Sequence, residues 1–155
     1  VIRFRTFSKA YGLAGMRVGY GLAAPEFAAA FNRIRNHFGL GRVAQAGAMA
    51  ALADQGYLMR VVGDIAAARH RIAAISVEHG LTPLPSATNF VTIDCGRDGD
   101  FARAVLAGLV ARGIFVRMPF TAPQDRCIRV SCGPEAALDA FASALPQALA
   151  DARKM

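Results

Sequence analysis

The stretch TFSKAYGLAGMRVGYG, residues 6–21, decides how this chain is interpreted. The chain has 18 lysine and arginine side chains, and only Lys9 in this stretch and Lys154 beside the C-terminus are lysines. A chain that favours arginine so strongly would carry arginine wherever it needed only a positive charge. Lysine can also lose its proton and form a Schiff base with an aldehyde, which arginine cannot do. Lys9 is therefore a candidate for covalent chemistry.

Hydroxyl groups, glycines and an arginine surround Lys9. Thr6 and Ser8 precede it, and Arg17 follows eight residues later. The glycine-rich turn over residues 12–15 permits a tight reversal of the chain that could return Arg17 toward Lys9. Hydroxyls together with a guanidinium suit a phosphate group. A lysine that can react with an aldehyde, next to groups that can bind a phosphate, predicts a site for pyridoxal 5′-phosphate (PLP), which carries both.

Composition and charge argue against several other classes of protein. The 155 residues are 54% hydrophobic and carry a formal net charge of +7. The arginines are scattered along the chain rather than grouped with aromatic residues, which is not typical of nucleic-acid binding. The sequence has no run of about 18 uncharged apolar residues and no secretory signal. We therefore expect a cytoplasmic protein without nucleic-acid or membrane partners.

The three cysteines, Cys95, Cys127 and Cys132, do not follow a metal-binding pattern. They are odd in number and lack CxxC or Cys/His spacing. Each lies in an apolar, strand-like context, which predicts a small buried hydrophobic residue with a reduced thiol. No metal site is expected.

The first third of the chain alternates short apolar segments with glycine and proline. Residues 1–6 and 17–23 are compatible with β-strands. Pro25, at a tolerated first-turn position, opens a predicted helix that reaches Ile34. Two glycines then predict a loop over residues 36–42.

Helices and a sheet are predicted after this loop. Residues 43–54 are rich in alanine, and residues 56–79 repeat apolar side chains near the helical period. The later predicted elements are a strand at 88–96 (TNFVTIDCG), a helix at 98–112, strands at 113–119 (GIFVRMP) and 127–133 (CIRVSCG), and a helix at 134–152. This order predicts an α/β fold in which a long helix connects a small domain to the tail of a larger one.

The stretch TFSKAYGLAGMRVGYGLA resembles the lysine motif of the fold-type I, class I and II PLP-dependent aminotransferases, especially the histidinol-phosphate aminotransferase branch. The shared pattern is hydroxyl–x–Ser–Lys–Ala, then Ala–Gly–x–Arg–x–Gly. The segments SATNFV, GIFVRM and CIRVSCG look like successive small-domain blocks of that branch. The resemblance implies the tail of the PLP-transferase large domain, with its doubly wound sheet, at 1–55, a long interdomain helix at 56–79 and a small C-terminal α/β domain at 80–155.

The resemblance also implies a role for seven side chains. Lys9 would form the Schiff base with PLP and, once released by substrate, act as general acid and base. The cofactor phosphate would be held by Thr6, Ser8 and Arg17. Arg129 would bind the substrate α-carboxylate. Arg117 would lie near the substrate side chain, where it helps histidinol-phosphate enzymes to bind the phosphate, and Asn89 would lie close to the substrate entrance.

Strand periodicity agrees with the roles of the two substrate-binding arginines. In CIRVSCG, Ile128 and Val130 share one face, whereas Arg129 lies on the other. The apolar face can pack on helices, so Arg129 can project into a cleft and bind a carboxylate with both prongs of its guanidinium. Arg117 has the same parity, opposite Val116.

The resembling enzymes contain parts that these residues lack. Their lysine is preceded by an aspartate that binds the pyridine nitrogen, whereas the first acidic residue here is Glu26. The chain has no initiator Met, and Val1 falls inside a predicted strand. We therefore expect a C-terminal piece of a longer, homodimeric enzyme, inactive by itself and weak in PLP binding.

The substrate and two alternative functions stay open. The expected reaction moves an amino group from histidinol phosphate or an aromatic amino acid to a 2-oxo acid such as 2-oxoglutarate. Aromatic amino acids stay open as substrates because of the aromatic side chains of Phe38, Phe90 and Phe115. One alternative is a PLP-dependent decarboxylase of a phospho-amino acid such as threonine phosphate, because one sequence does not show which bond breaks. The other is a non-catalytic α/β module that binds an anion.

Overall fold

The computed structural model describes residues 1–154. The chain divides after Val62 into two compact units, here called the first unit and the second unit. The predicted boundaries at 55 and 79 are a different division, and they stay a prediction. The elements are β1 (Arg3–Thr6), β2 (Gly19–Leu22), α1 (Pro25–Phe31), α2 (Arg42–Ala53), α3 (Gln55–Glu78), β3 (Thr82–Pro83), β4 (Phe90–Asp94), α4 (Gly99–Val110), β5 (Cys127–Ser131) and α5 (Glu135–Ala152).

The first unit begins with an antiparallel hairpin of β1 and β2, in which Thr6 lies opposite Gly19. The two strands approach too closely for a side chain at Gly19, because a Cβ there would lie 2.7 Å from the carbonyl oxygen of Arg5. The hairpin confirms the strands predicted within 1–6 and 17–23. The doubly wound sheet implied by the resemblance stays a prediction.

The core of the first unit lies between the hairpin loop and α2. Phe7 is only 1% exposed, and its ring centroid lies 5.6 Å from that of Tyr20. The other buried residues of this core are Val18, Ala44 and Ala48. Since Phe7 immediately follows β1, its burial fixes the start of the loop that carries Ser8 and Lys9.

Helix α1 is shorter than the sequence predicts. It begins at Pro25 as expected but ends at Phe31, and Ile34 lies in the following turn with its side chain 80% exposed. No residue of α1 is buried, so packing does not support a further turn. Helix α2 confirms the predicted helix at 43–54 to within one residue.

Helix α3 is 24 residues long and confirms the helix predicted at 56–79. It ends where Gly80 takes a φ of +75° and the amide of Leu81 donates to the carbonyl of Ser76 at 2.9 Å, a glycine-dependent helix end. Its predicted role as a connection between domains stays a prediction. Within residues 1–154, no helix combines the length and apolarity that a membrane span requires.

The second unit is a three-stranded antiparallel sheet, in the order β3-β4-β5, covered by helices. Helices α4 and α5 pack so closely that a Cβ on Gly108 would lie 3.1 Å from the Cβ of Ala148. The fully or nearly fully buried core residues include Ile72, Val91, Ile93, Val105, Leu109, Ile128, Val130, Phe141 and Leu145. The predicted helices at 98–112 and 134–152 are confirmed as α4 and α5.

The strand predicted at 113–119 is wrong. Gly113 has a φ of +77°, and Ile114 donates its amide to Leu109 of α4 at 2.9 Å. The start of the segment therefore completes the end of that helix. Only Arg117 forms a bridge to β5, and Pro119 soon after it has no amide to continue a ladder.

Candidate functional site

The loop between β1 and β2 folds back on itself through backbone hydrogen bonds. The amide of Phe7 donates to the carbonyl of Val18 at 3.2 Å, and the amide of Leu13 donates to the carbonyl of Phe7 at 2.9 Å. Arg17 ends a short 3-10 turn in the left-handed region, with a φ of +49°, where a residue other than glycine is uncommon. These constraints bring residue 17 back to residue 8.

Two hydroxyls and a guanidinium meet in this loop. The hydroxyl of Thr6 donates to the Oγ of Ser8 at 3.0 Å, and the Nη1 of Arg17 donates to the same Oγ at 3.3 Å. Arg17 is further fixed by a 2.8 Å hydrogen bond from Nη1 to the carbonyl of Ala14. The three residues predicted to hold the cofactor phosphate therefore form one cluster, here called the hydroxyl–arginine cluster (Thr6, Ser8 and Arg17).

Lys9 directly follows the hydroxyl–arginine cluster, and its side chain is exposed. Its carbonyl accepts a 2.8 Å hydrogen bond from the amide of Gly12, which has a φ of +72°. This tight turn fixes the backbone of Lys9. Within residues 1–154, Lys9 Nζ has neither a hydrogen bond nor an ion pair.

In the second unit, Arg117 and Arg129 are paired across two neighbouring segments. The amide of Arg117 donates to the carbonyl of Arg129 at 3.1 Å, and the amide of Arg129 donates to the carbonyl of Arg117 at 2.6 Å. Residues opposed in this way point their side chains to the same face of the sheet. On the opposite face, Ile128 and Val130 are buried, which confirms the predicted parity of this strand.

A cleft of about 790 Å³ lies in front of the two arginines. Both arginines line it, and the rest of its wall is largely apolar. The other lining residues are Arg103, Leu106, Phe115, Val116, Met118, Pro119 and Phe120. A cleft that combines apolar walls with guanidinium groups suits an organic anion. Arg129 therefore lines a cleft, and its role in substrate binding stays a prediction.

Asn89 lies directly before β4 and is half-buried. Its carbonyl accepts a 2.9 Å hydrogen bond from the amide of Cys132, which extends the pairing of β4 and β5 by one step. Its side chain forms no hydrogen bond in the part of the chain that the structure describes. The structure therefore places Asn89 on the same sheet as Arg129, with a side-chain amide that has no partner among the described residues. Its place near the substrate entrance stays a prediction.

Sequence reasoning missed the contact between Phe90 and Arg129. The Cζ of Arg129 lies 4.6 Å from the centroid of the Phe90 ring, which is a cation–π distance. The alternation of β4 places Phe90 on the same face as Thr92, which opposes Arg129. The parity of Phe90 was visible in the sequence, but the register between two strands nearly 40 residues apart was not.

Two of the three cysteines confirm the prediction of buried thiols. Cys95 and Cys127 are buried, Cys132 is half-buried, and all three are free. Burial raises the pKa of Cys95 from 9.0 to about 12, and burial likewise raises the pKa values of Cys127 and Cys132. Because the thiolate is the reactive form, these thiols are poor nucleophiles. Residues 1–154 hold no cluster of side chains suited to a metal ion.

Comparison with known proteins identifies the family of this chain. The family described as aminotransferase class I and II matches residues 1–145. Histidinol-phosphate aminotransferase 2 of Ralstonia nicotianae is 43% identical over 152 residues, covering 96% of this chain and 41% of that protein.

Solved structures of aminotransferases also resemble this chain. The crystal structure of histidinol-phosphate aminotransferase from Sinorhizobium meliloti in complex with pyridoxal-5′-phosphate superposes with a TM-score of 0.91 and 56% identity, over 97% of this chain and 41% of that one. L-threonine-O-3-phosphate decarboxylase from Porphyromonas gingivalis has a TM-score of 0.78 at 18% identity, which is a likeness of fold alone. The chain spans about 41% of the length of its relatives. It belongs to the class I and II aminotransferase family.

Proposed function

We propose that this chain is part of a PLP-dependent aminotransferase that moves an amino group from histidinol phosphate to a 2-oxo acid such as 2-oxoglutarate. The observation that carries the proposal is the hydroxyl–arginine cluster, in which Thr6 and Arg17 both donate to Ser8 directly before Lys9. The Ralstonia and Sinorhizobium relatives, both named for histidinol phosphate, support this amino donor over aromatic amino acids.

The hydroxyl–arginine cluster fits the phosphate end of PLP. A phosphate carries negative charge and accepts several hydrogen bonds, and the cluster offers two hydroxyls and a guanidinium. The donors of Thr6 and Arg17 already converge on one oxygen, the Oγ of Ser8, at 3.0 and 3.3 Å. A phosphate oxygen is a stronger acceptor than that hydroxyl. We therefore assign phosphate binding to Thr6, Ser8 and Arg17.

Lys9 supplies the amine for the other end of the cofactor. Bound PLP would provide an aldehyde and an electron-withdrawing ring that makes the substrate carbon acidic. Lys9 Nζ would hold the cofactor through its aldehyde, and it would be a free amine once a substrate amine takes its place. The Nζ of Lys9 would then act as general base and general acid, accepting a proton and donating it again. The exposed side chain, without a partner among residues 1–154, has the freedom that this transfer needs.

The paired arginines are proposed to bind the substrates. Histidinol phosphate carries a phosphate and 2-oxoglutarate carries two carboxylates, so the same cleft must bind an anion in both halves of the reaction. Arg129 and Arg117, whose backbones are paired, provide two guanidinium groups for this purpose. Asn89 is proposed to lie at the entrance. Apolar walls such as Phe115 leave space for an imidazole ring.

The test is a substrate profile of the full-length protein with PLP. We expect glutamate to form from 2-oxoglutarate fastest with L-histidinol phosphate, and at least ten-fold more slowly with phenylalanine or tyrosine, as followed by mass spectrometry. Release of carbon dioxide from threonine phosphate without glutamate would favour the decarboxylase. A protein that gains no visible absorbance with PLP and is unaffected by borohydride would favour the non-catalytic module, and would overturn the proposal.

A further inference from the structure

We propose that Phe90 is a positioning residue that draws the Arg129 guanidinium away from Arg117, so that the two arginines offer two separate anion sites. The inference rests on the proposed function, since it concerns how the same cleft binds substrate. It goes further by assigning a role to an aromatic residue that carries no reactive group.

The order of the segments places Phe90 and Arg117 on opposite sides of Arg129. On one side of β5, Thr92 of β4 is the direct partner of Arg129. On the other side, Arg117 is its partner. Phe90 lies two residues before Thr92, on the same face and diagonal to Arg129, a separation that aromatic and long side chains can bridge.

Arg117 and Arg129 would repel one another without a third group. They are directly opposed, and like charges in that position destabilise a sheet. The Arg129 Cζ lies 4.6 Å from the centroid of the Phe90 ring, so the guanidinium is turned toward β4 and away from Arg117. The attraction between the face of the Phe90 ring and the Arg129 cation offsets part of the repulsion between the two arginines. Two anions, or two ends of one substrate, can then be bound apart.

Stacking also leaves the hydrogen-bond donors of Arg129 available. A carboxylate partner would occupy the edge of the guanidinium, whereas an aromatic ring contacts its face and leaves the N–H groups free. Arg129 has no ion pair among the described residues. The acidic residue on the same face of β4, Asp94, pairs with Arg126 at 2.8 Å instead. The ring therefore orients Arg129 without competing with the substrate.

The experiment compares Phe90→Leu and Phe90→Tyr in the full-length protein. Leucine keeps the apolar bulk and removes the ring, and tyrosine keeps the ring. We expect Phe90→Leu to raise the KM for 2-oxoglutarate and the Kd for the inert dicarboxylate glutarate about five-fold, with kcat changed less than two-fold. Phe90→Tyr should restore both constants. Glutarate binding, measured by calorimetry, does not depend on turnover.

Phe101→Leu is the matched control. Phe101 also stacks on an arginine, with the Cζ of Arg97 4.7 Å from its ring centroid, but neither residue lines the cleft. This change should lower thermal stability and leave the KM and the glutarate Kd unchanged. If Phe90→Leu fails to fold, Phe90→Met gives the same comparison with a flexible apolar side chain.

The outcomes separate this inference from the proposed function. A wild-type protein without transaminase activity contradicts the function. An active wild type in which Phe90→Leu or Phe90→Met keeps the wild-type KM and glutarate Kd overturns the inference alone. The inference would also be overturned if Phe90→Leu lowered kcat without changing the KM or the glutarate Kd. It would be overturned as well if Phe90→Tyr raised both constants as much as Phe90→Leu does. Either result would mean that Phe90 matters only for packing.

Discussion

Replacement of Lys9 by arginine separates two properties that lysine combines at this position, a positive charge and an amine that can lose its proton. We expect Lys9→Arg to lower kcat at least a thousand-fold, as much as Lys9→Ala, because a guanidinium can neither bond to the aldehyde nor transfer the proton. The measurement is glutamate formation by the full-length protein under saturating PLP. Lys154→Arg, at the other lysine, is the control and should be silent. An active Lys9→Arg protein would remove Lys9 from the reaction.

The role of Arg17 can be tested in the same way. Arg17→Lys keeps the charge and the backbone requirements of the left-handed position, but it loses the second nitrogen of the guanidinium fork. We expect the Kd for PLP to rise about ten-fold, as measured by quenching of protein fluorescence. Arg5→Lys is the control, since Arg5 lies on the same hairpin and its side chain donates, within residues 1–154, only to the carbonyl of Phe4. Equal PLP affinity of Arg17→Lys and the wild type would contradict phosphate binding by this residue.

At the scale of elements, the β1–β2 hairpin supports the hydroxyl–arginine cluster through Gly19. A Cβ at Gly19 would lie 2.7 Å from the backbone of Arg5, so Gly19→Ala must push the strands apart. We expect a loss of about 1–3 kcal/mol in stability and weaker PLP binding, because Thr6 pairs with Gly19. The measurements are thermal unfolding and PLP titration of the full-length protein.

Gly15→Ala serves as the control for Gly19→Ala. Gly15 lies in the loop that precedes β2, and a Cβ there would meet no atom within 4 Å. The change should leave stability and PLP affinity close to the wild-type values. If both alanine variants behave alike, close strand packing at Gly19 does not support the site.

The predictability of each element depended on how local its determinants are. Helix α4 could be predicted from its own residues. The side chain of Asp98 accepts a 2.9 Å hydrogen bond from the amide of Phe101 and so caps the start of the helix. The parity of β5 was equally local. The early end of α1 and the absence of a strand at 113–119 depend on which other segments pack or pair with these residues. The sequence of a single segment does not contain that information. The same holds for the contact of Phe90 with Arg129.

At the scale of the whole molecule, the two groups of proposed functional residues lie in different units of the chain. The first unit holds the hydroxyl–arginine cluster and Lys9, and the second holds the paired arginines. The motif around Lys9 could be recognised from sequence because its groups lie within twelve residues of one another. A homodimer rests on the resemblance, whereas a cytoplasmic location and the connecting role of α3 also rest on sequence patterns, and all three stay predictions.

The last prediction concerns these 155 residues by themselves. They cover about 41% of the length of their relatives, and residues 1–25 contain no acidic side chain that could bind a pyridine nitrogen next to Lys9. Without a carboxylate there, the ring would not stay protonated and could not withdraw electrons effectively. We therefore expect the isolated chain to bind PLP at least a hundred-fold more weakly than the full-length protein and to form no glutamate.

The comparison needs proof that the isolated chain is folded, which far-UV circular dichroism and a cooperative melt provide. Pyridoxal, which lacks the phosphate, is the informative control ligand. If the hydroxyl–arginine cluster is retained, the isolated chain should still prefer PLP to pyridoxal, because the phosphate contacts are present even though the ring contacts are not. Turnover by the folded, isolated chain at a rate near that of the full-length protein would show that residues 1–155 already contain every group the reaction requires.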